Sequence, residues 1–186
     1  MNVTKWFTHQ EIINNLERFA EKLEKDTINP LKDFSVFLKA FVEVYNTLVQ
    51  GEQEEDENLK GFAYAIQDDL DEKGESTFYF SVQGGEKLVM VAEKGEFKLG
   101  IWSDEYKESK NEQSLFVEFV SQAAKDLLTG NTDLNNMAQD GLITLGGTAT
   151  LLELLELWFD DFYGLLEGST VAENEENVDD DLYMDE

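Results

Sequence analysis

Leu127-Leu128-Thr129-Gly130, Gly141-Leu142-Ile143-Thr144-Leu145-Gly146-Gly147 and Leu151-Leu152-Glu153-Leu154-Leu155-Glu156-Leu157-Trp158-Phe159 decide the fold. The first ends a helix on glycine. The second is a short apolar run between glycines. The third opens a helix that carries Leu151, Leu152, Leu154, Leu155, Leu157, Trp158, Phe159 and Phe162. Those residues cover more than one apolar stripe, so the helix must bury against two surfaces. One is its own sheet. The other is a second helix, a partner chain or a bound lipid.

Working backwards from Gly130, Ser114 reads as an N-cap, and Phe116, Val120, Ala123, Ala124 and Leu127 as the buried side of one helix. A polar crossover then leads to strand 142–145. Upstream, Thr77–Val82, Leu88–Ala92 and Phe97–Trp102 are apolar segments joined at Gly84-Gly85 and Lys94-Gly95. They predict an antiparallel meander. Phe62, Tyr64 and Ile66 alternate with small or polar residues, which suggests a further strand, with a short helix as the alternative.

The N-terminal third is helical by pattern. Thr8 and Glu11 have capping-box spacing, and Ile12, Ile13, Leu16, Phe19, Ala20 and Leu23 continue it as a helix over roughly 9–25. Asn29-Pro30 starts a second helix along Phe34, Phe37, Leu38, Phe41, Tyr45 and Leu48, stopped near Gly51. The two form a helical hairpin, 1–51. The expected fold class is α+β, with an antiparallel-rich sheet of about five strands covered by helices. One domain, 1–166, is followed by a disordered acidic tail, 167–186.

The net charge is −27, with 41 acids against 14 bases. Nine acids and no base lie in 167–186, and five acids lie in 52–57. Such a surface repels phosphate backbones and anionic headgroups, so no nucleic-acid partner and no stable membrane insertion are expected. No apolar run approaches the roughly 20 residues of a membrane span. The chain has no Cys, and Met1–Phe7 has no signal-peptide core; a cytoplasmic location is expected.

Catalytic chemistry is sparse. His9 is the sole histidine and stands at a helix start. No nucleophile elbow or phosphate-binding glycine loop is present. Asp69-Leu70-Asp71-Glu72-Lys73-Gly74 opens like a calcium loop but has Lys73 at its fifth position and Phe80 at its twelfth, where glutamate is required. Gly146-Gly147 fits a tight backbone crossing better than an anion site. No cofactor, metal or enzymatic activity is expected. The aromatic residues are the positive signal: between sheet and last helix they form either a packed core or a lined pocket.

The order of elements resembles the sterol carrier protein family. The residues that carry the resemblance are Lys125-Asp126-Leu127-Leu128-Thr129-Gly130-Asn131-Thr132-Asp133-Leu134 and Gly141–Gly147, over a core of about 60–163. The resemblance implies non-enzymatic binding of a lipid or other long apolar ligand in a tunnel between sheet and C-terminal helix. Its wall would include Phe80, Met90, Leu99, Phe116, Val120, Leu142, Leu151, Leu155 and Trp158. The chain ends without the peroxisomal Ser-Lys-Leu of some members. The alternative is an acidic interaction module that forms a homodimer, or docks a basic protein partner, through an apolar helix face.

Overall fold

The computed structural model describes residues 2–51, 56–107 and 112–183, with side chains between Val3 and Glu167. The expected disordered tail, 167–186, lies almost wholly outside the side chains described. In chain order the elements are β1 (Asn2–Trp6), α1 (His9–Ile12), α2 (Asn15–Glu24), α3 (Pro30–Gln50), α4 (Glu57–Lys73), β2 (Ser76–Val82), β3 (Lys87–Ala92), β4 (Phe97–Ser103), β5 (Ser114–Phe119), α5 (Ser121–Leu128), α6 (Leu134–Gln139), β6 (Ile143–Gly147) and α7 (Leu151–Tyr183). The class is α+β, as expected, and the sheet has six strands in the order β1-β4-β3-β2-β5-β6. Every neighbouring pair is antiparallel except β2 and β5.

The meander β2-β3-β4 follows the sequence reading, with Phe78 opposite Met90 and Met90 opposite Leu99. Three expectations are corrected. Ser114 opens a strand rather than a helix. Leu115, Val117 and Phe119 alternate onto the buried face and pair in parallel with β2, so the period is two and not 3.6. The helix is only the Ser121–Leu128 part. The 62–66 segment is helical: Phe62, Ile66 and Leu70 recur every four residues and are buried, while Tyr64 is exposed. Asp56 caps this helix, accepting from the N–H groups of Asn58 and Leu59.

The single helix over 9–25 is two helices. The Thr8–Glu11 capping box forms, but α1 stops after one turn and Asn14 takes φ +69°. Asn14 does not cap α2 with its side chain. The Glu43 carboxylate of α3 does so from a distance, accepting from the backbone N–H groups of Asn14, Asn15 and Leu16 at 3.2, 2.9 and 3.0 Å. A carboxylate at a helix N-terminus meets both its unpaired donors and its dipole. β1 is an addition that the sequence reading did not anticipate. It pairs with β4 through a bulge between Val3 and Lys5, which blunts the sheet edge.

α3 lies at the centre. Phe34, Val36, Phe37, Leu38, Ala40, Phe41 and Val42 are all buried, as befits a helix apolar on nearly every side. Its Phe34 ring meets Phe80 and Phe119 of the sheet at 5.8 and 5.3 Å, and Phe37 meets Phe159 of α7 at 4.9 Å. The surplus apolar surface of α7 goes into this packing: among its described side chains Leu157 is the one large apolar residue prominently exposed.

Gly146 and Gly147 serve close packing. A Cβ on Gly146 would stand 3.0 Å from the Tyr106 ring, and Gly147 (φ +84°) has no room for one against the Ser114 carbonyl and the Tyr106 hydroxyl. Tyr106 lies flat on Phe116, ring centroids 5.1 Å apart, on the sheet face opposite the helices.

Candidate functional site

The sheet–helix layer gathers most of the residues expected to line a tunnel. Phe80, Met90, Leu99, Leu151, Leu155 and Trp158 are all at or below 1% exposure and belong to one apolar cluster. Val120, capping α5, and Leu142, just before β6, are partly buried against it. Phe116 is separated from the others by the sheet itself. It packs on the opposite face with Tyr79, Val89, Trp102 and Tyr106, because alternation along β5 sends it away from Leu115 and Val117.

Trp158 is the largest fully buried side chain. Its ring touches Phe78 and Phe97 at centroid distances of 5.7 and 5.8 Å, and its indole N–H donates to Asp69 Oδ2 of α4 at 2.9 Å. The polar tip thus has a partner while the rings fill apolar space. Next to this seam, Asp161 is shifted above the usual carboxylate range, by burial first and then by the charges of Asp160 and Asp69.

A partly enclosed cavity of about 300 Å³ opens where β1 ends, between α1, α3 and β4. Its deepest side chains are Phe97, Leu99 and Ile12, each below 9% exposure. Trp6, Phe7 and Ile13 add apolar wall, and Glu43, Asn46, Thr47, Gln50, His9, Glu96 and Lys98 supply polar groups. The size is at the lower end of small-molecule sites. Of the tunnel residues expected from sequence, Leu99 alone lines it.

Two side chains shape this cavity, and neither role has a local sign in the sequence. Asn46 of α3 mimics a strand neighbour for β4: its Oδ1 accepts from Phe97 N at 2.7 Å and its Nδ2 donates to Phe97 O at 2.9 Å. Glu43 fixes the α1–α2 corner as described above. Nearby, Tyr45 donates to the Lys94 carbonyl at 2.5 Å, and burial pushes its phenol up to about 12.

Among the described residues no three His, Asp or Glu side chains are placed to hold a metal ion. No helix of the described residues is long and apolar enough to cross a membrane.

No family model matches the sequence, and no curated protein does. Solved structures are similar in fold. Sterol carrier protein 2 from Yarrowia lipolytica in its apo form is 8% identical with a TM-score of 0.39, the match covering 66% of this chain and 89% of that one. The UbiJ-SCP2 ubiquinone synthesis protein is 14% identical with a TM-score of 0.42, over 72% of this chain and 93% of the other. Palmitated SCP2L2 from Aedes aegypti is 14% identical with a TM-score of 0.32, over 55% and 92%.

Proposed function

We propose that this protein binds a lipid or another long apolar molecule without transforming it. One observation carries the reading: the cavity floor is built from Phe97 and Leu99, residues of the core itself. The Phe97 ring continues directly to Phe41 of α3 and Trp158 of α7, at 6.0 and 5.8 Å. An apolar chain entering beside β1 would therefore meet an unbroken series of aromatic faces leading between sheet and helices. Displacing Trp158 would extend that path towards Phe78, Phe80 and Met90. The gain would come from apolar area leaving water, at roughly 25 cal/mol per Å². The resemblance of Lys125–Leu134 and Gly141–Gly147 to sterol carrier proteins agrees with this reading. An interaction module built on the apolar faces of α3 or α7 draws less support, since among the described residues those faces, apart from Leu31 and Leu157, are buried within the chain.

The test is native mass spectrometry of freshly purified protein, followed by organic extraction and titration with a fluorescent fatty acid. A released lipid of defined mass, or saturable uptake that falls in Ile12→Trp and in Trp158→Glu, is the expected result. Absence of both a released lipid and uptake would end the proposal. Uptake unchanged in Ile12→Trp would remove the cavity as the entrance.

A further inference from the structure

Lys39 of α3 is half-buried beside the cavity, its Nζ 4.2 Å from the centroid of Phe7, a cavity wall. The residue one turn on, Glu43, would be its ordinary helix partner. That carboxylate is instead committed to the N–H groups of Asn14, Asn15 and Leu16. Among the described residues Lys39 makes no ion pair. Lys5 lies over the same ring at 5.4 Å, and Arg18 is close enough to add to the positive field. Of the acids that face this group, Glu11 is bonded to Lys5 at 2.6 Å, and Glu86 acts from a distance. Burial holds the Lys39 pKa below its ordinary value. A cation withdrawn from water is costly unless it is paired. Among the described residues no carboxylate lies within ion-pair distance of this half-buried lysine, so its N–H donors can take an external oxyanion.

We propose that Lys39, backed by Lys5, binds an oxyanion (a phosphate, sulfate or carboxylate group) at the rim of this cavity. For a ligand whose tail occupies the cavity, this rests on the apolar-ligand reading and names its polar head. A free oxyanion would use the same contacts without the tail.

The experiment follows the Lys39 side-chain NMR signal of the full chain during titration with inorganic phosphate, decyl phosphate and decanol. The signal should move with decyl phosphate. Affinity for decyl phosphate should fall about ten-fold in Lys39→Gln, recover in Lys39→Arg and hold in Lys25→Gln, as expected for loss of one charged hydrogen bond. Equal response to inorganic phosphate assigns a free-oxyanion site; response to decyl phosphate alone assigns an amphiphile head group. A Lys39 signal that no phosphate moves, or equal affinity of Lys39→Gln for decyl phosphate, overturns the inference. Decanol separates the two readings: its binding without any preference for decyl phosphate would sink the oxyanion site and leave the apolar ligand standing.

Discussion

The indole N–H of Trp158 in α7 is held by Asp69 Oδ2 in α4 at 2.9 Å, so the bulkiest buried ring of the layer hangs from a carboxylate on a different helix. Asp69→Ala strips that partner and leaves a largely buried donor unpaired, which costs about 1–3 kcal/mol. Trp158→Phe removes donor and need together, but leaves a gap beside Phe78 and Phe97. Urea unfolding should show a lower midpoint with unchanged slope for Asp69→Ala. The double variant should lose less than the sum of the single variants, because both break one bond. Full additivity would mean that the hydrogen bond contributes nothing.

The same seam makes stability depend on pH through Asp161. Its carboxyl is raised above the ordinary value of 3.8, chiefly by burial and then by Asp160 and Asp69. The folded state therefore holds this proton more tightly than the unfolded state. The sign follows: a penalty is present in full above the raised pKa, fades as pH falls through it, and is gone below the ordinary value. Asp161→Asn should melt higher than the parent near neutral pH, and the advantage should vanish towards pH 3.8. An advantage that persists under acid would point to packing rather than charge.

The meander, α3 and the apolar part of α7 were legible in the sequence because each carries its own signal. Glycine turns separate β2, β3 and β4, and Asn29-Pro30 marks the start of α3. Ser114–Phe119 misled because an N-cap residue followed by Phe116, Val120 and Ala124 also fits a helical stripe. What decides the strand is the pairing of Leu115 with Phe78, a contact across the chain. β1 was hidden for the same reason: Val3 and Lys5 extend only because Trp102 and Ile101 receive them. The cavity was harder still. Asn46 and Glu43 act on Phe97 and Asn15, far away in sequence, and nothing about an asparagine or glutamate on a helix announces that. Phe116 shows the cost of a one-period error: reading a strand as a helix moved it to the wrong side of the sheet.

Asn46 should prove as important as an apolar core residue. It supplies both hydrogen bonds that a missing strand would give to Phe97. Asn46→Ala leaves that N–H and carbonyl without partners and should destabilise by about 2–4 kcal/mol, taking two modest losses together. Asn46→Asp keeps the acceptor for Phe97 N but replaces the donor with an anion facing a carbonyl, so it should be no better than alanine. Thermal unfolding of the three proteins decides the matter. If Asp matches Asn, the Nδ2 contact is dispensable and the cavity wall does not depend on it.

Gly100 and Gly61 separate close packing from mere flexibility. A Cβ on Gly100 would lie 2.5 Å from the Lys5 carbonyl and 2.9 Å from the Trp6 ring. The Trp6 side chain could swing aside, but the Lys5 backbone moves only if β1 leaves β4. Gly100→Ala should therefore strip hydrogen-exchange protection from Val3–Trp6, cost about 1–3 kcal/mol, and open the cavity on its Trp6–Phe7 side. A bound apolar probe should then leave faster. Gly61, inside α4, has nothing within 4 Å of the position its Cβ would take. Gly61→Ala should raise stability by up to about 1 kcal/mol through helix propensity alone and leave probe release unchanged. If Gly100→Ala kept β1 protected yet still speeded release, β1 would not be the wall that retains the ligand, and the entrance would have to lie elsewhere on the layer.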